Sequence, residues 1–233
     1  MVNAVREAAA SGARIQGIHL TFPATPIIEI AARVGIDFLY LDGEHGSFDI
    51  RDIEQACIAA ERHGITAIAR IPDRSEATIT RFLDRGVRGL VVPHVDSVED
   101  AKEVIQAAYY APIGMRSFGS GRPQYGMGLS DKAAYFEDCN ADISICIMIE
   151  SRSGLEAAAE IAALPEITYL SFGLHDLSQS LGHAGQLDHP VVRAAVDEAS
   201  QKIRKVGKPV REDFMRFAWI NEIVGTGIRH LVD

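Results

Sequence analysis

Short apolar or β-branched runs alternate along the chain with longer stretches whose apolar residues recur every three or four positions. The runs "RIQGIHL" (14–20), "FLYL" (38–41), "TAIAR" (66–70), "GLVV" (89–92), "ISICIMI" (143–149), "TYLSF" (168–172), "KPV" (208–210) and "IRHLV" (228–232) read as strands. Between them lie helical stretches such as "TPIIEIAARVG", "IRDIEQACIAAERHG" and "SVEDAKEVIQAA". In the last of these, Val98, Ala101, Val104, Ile105 and Ala108 share one helical face. Gly35, Gly64, Gly86 and Gly207 stand where helices should end. Ser97 and Ser153 stand where helices should begin, and Ser153 has Glu156 three residues on, the spacing of a capping box.

Strands that alternate with helices imply a parallel sheet. Eight strand candidates in 233 residues predict a single (β/α)8 barrel domain over 1–233. A doubly wound sheet would open with a Gly-rich phosphate turn, and the first turn here is "TFPATP". "IRHLV" reaches residue 232 with no helical pattern after it, so the final helix is expected to be missing or exchanged with a neighbouring subunit. The uncovered apolar face then predicts a homo-oligomer. Residues 109–142 have the Gly, Pro and Ser density of a long functional loop, "GSG" (119–121) being a candidate lid, followed by a helix over 131–139.

Composition narrows the partners. A net charge of −9, with 23 scattered basic residues, speaks against nucleic acid. No apolar run is long enough for a membrane helix. The first residues, "MVNAVREAAASGARIQG", lack the apolar centre of a signal peptide. Cys57, Cys139 and Cys146 form no C-x-x-C pair and are expected to be reduced and mostly buried, in a cytoplasmic protein.

Barrel chemistry sits at the C-terminal ends of the strands. Asp42, Glu44 and His45 follow the second strand candidate, Arg70 closes the third, Pro93 and His94 follow the fourth, Glu150 follows the fifth, and His175 and Asp176 lie after the sixth. Solvation explains polar residues at strand ends in general, but less well why Arg70 and Glu150 directly terminate apolar runs. Glu150 and Asp176, from adjacent strands with no Cys or paired His beside them, offer oxygen ligands to a hard divalent cation, Mg²⁺ or Mn²⁺, with Co²⁺ a further candidate. Zinc would call for H-E-x-x-H or a Cys/His set.

With these residues in view, the chain resembles the HpcH/HpaI aldolase family, metal-dependent pyruvate aldolases on a (β/α)8 barrel. The matching segments are "LDGEHG", "AIARIP", "LDRGVRGLVVPHVDS", "APIGMRS", "IMIES" and "GLHDLSQSLGHAGQLDHP", in family order over nearly the whole chain. The resemblance implies a lyase that reversibly cleaves a 4-hydroxy-2-oxo acid to pyruvate and an aldehyde. By the same resemblance His45 is the general base, and Asp84 is the carboxylate that raises its basicity, with Asp42 in the same network. Arg70 stabilises the enolate oxygen, and Glu150 and Asp176 bind the metal. Gly173, Leu174, His175 and Asp176 form the backbone cradle for the pyruvate carboxylate, and the assembly is a hexamer.

Two positions depart from the family pattern. Met148 stands where the family usually has a substrate-contacting Gln, and "GLHDLS" replaces "GPxDLS" at Leu174 and His175. Two rival readings follow: a citrate-lyase-β or malyl-CoA-type lyase acting on a CoA thioester, and a barrel that has lost its chemistry, which Met148 alone favours.

Overall fold

The computed structural model describes residues 2–119, 121–122 and 131–232. Its strands are β1 (Ile15–Leu20), β2 (Phe38–Asp42), β3 (Thr66–Arg70), β4 (Gly89–Val92), β5 (Ser144–Ile149), β6 (Tyr169–Phe172) and β7 (Met215–Trp219). The helices are α1 (Ala4–Ser11), α2 (Thr25–Val34), α3 (Ile50–Arg62), α4 (Glu76–Leu83), α5 (Val98–Ala108), α6 (Lys132–Asp142), α7 (Arg152–Ala162), α8 (Leu174–Ser180), α9 (Pro190–Lys205), α10 (Arg211–Phe214) and α11 (Ile220–Val232). The seven strands form one parallel sheet in the order β6-β5-β4-β3-β2-β1-β7.

Side-chain alternation sorts each strand between two cores. Leu39, Leu41, Ala67, Ala69, Ile145, Ile147 and Ile149 point outward and pack with helix residues such as Ile53, Val104 and Ile161. Phe38, Tyr40, Ile68, Val91, Cys146, Met148, Tyr169 and Met215 point the other way and form a second cluster with Val5 and Ala8 of α1. Residues from both ends of the strand order meet in that second cluster, so the sheet curls around it and α1 sits against its interior. The three cysteines are free, and Cys57 and Cys146 are buried. Among the described residues no helix is long and apolar enough to cross a membrane.

The first six strand expectations hold to within about a residue, and the C-terminal part does not. The expected strand 208–210 is a single bridge, Val210 to Leu170, because Arg211 begins the short helix α10. The strand beside β1 is Met215–Trp219, with Ile15 opposite Met215 and His19 opposite Trp219. Residues 228–232, expected as a strand, belong to α11. A final helix is therefore present, and of its residues only Ile220 is buried. The α7 cap is Ser151, whose Oγ accepts the Gly154 N–H, while Ser153 lies inside the helix. The helix expected over 131–139 is α6, and Ser120 of "GSG" lies outside the described residues, as does the 123–130 stretch of the expected long loop.

Candidate active site

The parity that sends Phe38 and Tyr40 inward also sends Asp42 inward, and likewise Arg70 after Ile68 and Glu150 after Met148. Each is the last inward position of an apolar strand, so charge gathers at one mouth of the curled sheet.

Asp42 is the hub. Its two oxygens accept from Arg70 Nε at 3.1 Å and Nη2 at 2.6 Å, a bidentate pair across the β2–β3 register. Oδ1 also accepts the backbone N–H groups of Glu44 (3.2 Å) and His45 (3.0 Å), which pins the loop after β2. His19 Nε2 lies 3.3 Å from Oδ2. Burial opposes ionisation of Asp42, but the bonds from His19, Arg70 and His45 outweigh it and hold the carboxyl well below its usual range. Burial likewise works against the Arg70 charge, and the Asp42 bond and neighbouring anions more than restore it.

His45 stands on the rim with 67 % of its side chain exposed and its Nε2 4.0 Å from Glu44 Oε2. Glu44 is mostly buried, and its Oε2 lies 3.2 Å from Arg70 Nη1 without hydrogen-bond geometry. Its other oxygen is 3.4 Å from His94 Nε2. His94 reaches across to Glu150, its backbone N–H donating to Oε2 at 3.0 Å.

Glu150 is only 6 % exposed. Burial pushes its carboxyl above the ordinary value, His94 pulls it back, and the charges of Glu44 and Asp176 push it up again. Its Oε1 lies over Gly173, where any Cβ would collide with it. That close approach requires glycine at the end of β6. Asp176 follows in the exposed first turn of α8, near enough for its charge to act on Glu150. The first intrahelical bond of α8 runs from Leu177 N–H to Gly173 C=O, so the N–H groups of Leu174, His175 and Asp176 belong to its open first turn.

A hard cation fits this donor set. A buried carboxylate with two acidic neighbours has excess negative charge that a divalent ion would relieve. Glu150 and Asp176 would hold it with coordination positions left to water and substrate; among the described residues no group of three or more His, Cys, Asp or Glu side chains is placed to hold a metal ion.

One expected residue, Asp84, falls elsewhere. Asp84 caps the end of α4, where its Oδ1 accepts from Arg116 Nη2 at 2.9 Å. The helix after β3 runs back along the sheet, so its last residue reaches the end opposite the mouth; within one chain Asp84 does not meet His45. Met148 is 5 % exposed and packs in the interior cluster, one inward position below Glu150.

The sequence reading missed His19 and named Glu44 and His94 only as rim residues. His19 lies between Tyr40 and Trp219, with ring centroids 4.3 and 3.8 Å away. Burial lowers its pKa against the pull of Asp42, and its Nδ1 has no hydrogen-bond partner among the described residues. The alternation Ile15, Gly17, His19 could have found it.

Known proteins resemble the chain over most of its length. The sequence profile described as HpcH/HpaI aldolase/citrate lyase matches residues 17–218. A hydroxypyruvate/pyruvate aldolase from Deinococcus radiodurans is 35 % identical over 208 residues, 88 % of this chain and 74 % of that protein. A 2-keto-3-deoxy-L-rhamnonate aldolase from Klebsiella pneumoniae is 33 % identical over 193 residues, 82 % of this chain and 72 % of its own length. The crystal structure of an HpcH/HpaI aldolase from Desulfitobacterium hafniense superposes with a TM-score of 0.88 at 25 % identity, covering 97 % of this chain and 94 % of the other. The profile and the relatives lead to one assignment: the chain belongs to the HpcH/HpaI aldolase/citrate lyase family.

Proposed function

We propose that the protein is a metal-dependent aldolase that reversibly cleaves a 4-hydroxy-2-oxo acid into pyruvate and an aldehyde. The observation that carries this reading is the Arg70 guanidinium, held bidentately by Asp42 at the same mouth as the buried Glu150. A fixed cation beside a carboxylate poised for a metal suits a reaction that develops an enolate.

Glu150 and Asp176 hold the ion, Mg²⁺ or Mn²⁺ by their oxygen donors and Co²⁺ as a substitute. When bound, such an ion supplies Lewis-acid stabilisation of negative charge on the substrate oxygens. His45, exposed on a pinned loop, takes the C4 hydroxyl proton on a ring nitrogen. The O–H electrons form the aldehyde carbonyl, the C3–C4 bond breaks, and its electron pair becomes the enolate of pyruvate. Arg70 lies ready for the enolate oxygen, and the open first turn of α8 offers amides to the carboxylate. Protonation at C3 then gives pyruvate. The relatives' aldolase names favour this over a CoA-thioester lyase.

In this reading the domain is a (β/α)8 barrel over 1–233, with Val210 in the seventh strand position, and the enzyme is cytoplasmic. Ile223, Val224, Ile228 and Leu231 recur at helical spacing on the exposed side of α11, as they would on a helix that packs against a second copy. The assembly is then a homo-oligomer, a hexamer by family resemblance.

The test is proton exchange. Incubated with pyruvate and Mn²⁺ or Mg²⁺ in deuterated water, the enzyme should exchange the pyruvate methyl protons with no aldehyde present, as followed by NMR. Exchange that persists in excess chelator, or none with any of the three ions, would overturn the reading.

A further inference from the structure

His94 is the one non-glycine residue among those described with a positive φ, 54°. This left-handed conformation is uncommon for residues with a side chain, though His, Asn and Asp adopt it more readily than others. The residue sits directly after Pro93 at the end of β4, and 62 % of its side chain is exposed. Little burial is gained there, so packing does not account for the backbone it adopts.

Glu150 does account for it. The left-handed turn aims the His94 N–H at Glu150 Oε2, 3.0 Å away. The same turn sets Nδ1 3.3 Å from that oxygen, while Nε2 faces Glu44 Oε1 at 3.4 Å. Of the hydrogen bonds among the described residues, the one from His94 is the only one Glu150 accepts. The opposite oxygen, Oε1, is pressed against Gly173, which begins the turn leading to Asp176. The carboxylate is thus clamped across its width, Oε2 toward His94 and Oε1 toward the α8 side.

We infer that His94 is a positioning residue for the metal site: its backbone N–H bonds Glu150 Oε2 while its imidazole stands 3.3 Å from the same oxygen, and so it presents Oε1 to the cation beside Asp176. Groups behind the direct ligands commonly fix ligand orientation in this way, and losing one costs roughly 10- to 100-fold in metal affinity. The imidazole also spans Glu44 and Glu150, so it separates two carboxylates that would otherwise face each other bare.

The inference rests on the assignment of Glu150 and Asp176 as ligands, and the experiment keeps the two apart. Mn²⁺ affinity is measured by calorimetry, and by the EPR signal of free Mn²⁺, on the full chain without substrate. Asp176→Ala tests the assignment itself: a wild type that binds no Mn²⁺, or an Asp176→Ala protein that binds it unchanged, overturns the metal site and with it the role of His94. His94→Gly keeps the backbone N–H and relaxes the turn while removing the imidazole. It should bind Mn²⁺ about 10- to 100-fold more weakly. His94→Asn tolerates the same φ and returns a side-chain N–H donor, so affinity should recover to within about threefold. Wild-type affinity in His94→Gly overturns the inference. Loss in both variants, with unchanged melting temperatures, overturns it differently, by making the imidazole itself a ligand.

Discussion

The two ends of the curled sheet carry similar side chains and use them differently. At the mouth, Asp42, Arg70, Glu44, His94 and Glu150 bond mostly to one another, and their partners come from the ends of β2 to β5 and the loops beyond. At the base, charge pairs such as Arg116 with Asp84 also occur, but Asn3 and Lys208 bond to backbone carbonyls that close the chain on itself. Asn3 Nδ2 donates to the carbonyls of Arg88 (2.8 Å) and Asp142 (2.6 Å), and Lys208 Nζ donates to those of Pro165 (3.1 Å) and Ile167 (2.5 Å). A base group completes hydrogen bonding that the fold itself leaves open. A mouth group holds another charge in place, which in the proposed reading serves metal and substrate. Substitutions at the base should therefore appear in stability, and substitutions at the mouth in rate.

The largest expected separation is at His45. His45→Ala should lower aldol cleavage by on the order of 10²- to 10⁴-fold, with Mn²⁺ affinity and melting temperature unchanged because the side chain lies largely in solvent. Lost metal binding would make His45 a ligand, and unchanged cleavage would remove it from the site.

Arg70→Lys comes next and blurs the contrast in an informative way. Lysine keeps the charge but loses the bidentate fork on Asp42. Cleavage should fall by roughly 10²-fold, as for the loss of an oriented oxyanion donor. Stability should fall too, by about 1–3 kcal/mol, because a buried acceptor loses a partner. Steady-state rates beside urea melts measure both effects, and a rate equal to wild type would show that Arg70 serves the fold alone.

Asn3→Ala is the converse. It removes two carbonyl partners and the cap of α1, so unfolding should come easier by about 1–3 kcal/mol. The kcat per folded enzyme should stay within a factor of two, as judged by active-site titration. A large fall in kcat would break the division between the two ends.

The smallest effect concerns pH. The folded pKa of His19 is lowered, chiefly by burial, so between that value and 6.5 the unfolded chain binds more protons than the folded one. Stability is then full above about pH 6.5 and declines as pH falls, with a slope of at most about 1.4 kcal/mol per pH unit for one proton. His19→Phe, which keeps a ring between Tyr40 and Trp219, should flatten that slope. Urea midpoints at pH 5.5 and 7.5 decide it; equal slopes would mean that the imidazole is charged in the fold.

Legibility in the sequence followed how local the determining interactions are. β1 to β6 were readable because each is a short, largely apolar run set between helical patterns, several of which end at glycine. Gly35, Gly64, Gly86 and Gly207 all adopt positive φ, as their positions after helical patterns require. Arg70 and Glu150 were readable because a charge ending an apolar strand has one inward place to go. β7 was not, although Met215, Phe217 and Trp219 alternate properly. Its identity depends on pairing with β1, some 200 residues earlier in sequence, and "IRHLV" competes with an equally apolar run. Residues 228–232 fold as helix despite Gly225 and Gly227, because α11 lays Ile220 against the core and continues in register. His19 hid inside "RIQGIHL", where its polarity looked incidental, and the clamp by His94 depends on a backbone angle that composition does not express. Asp84 shows the reverse limit: its motif was plain, yet the position of α4 decides what it can touch.

The single bridge at Val210 gives the molecule a seam. Every other junction between neighbouring strands is a ladder of several pairs, whereas β6 and β7 meet through Val210, the Pro209 carbonyl that accepts the Leu170 N–H at 3.3 Å, and the short helix α10. A wall stitched at one point opens there first. Amide exchange should therefore run fastest along that line, at Leu170 before Leu39 or Ile147, which lie inside continuous ladders. For the same reason, a cut or new termini near residues 206–210 would disturb the fewest strand pairings. The curled sheet is in effect a strap whose two ends are fastened at one stitch, and its tolerance for rearrangement is concentrated there.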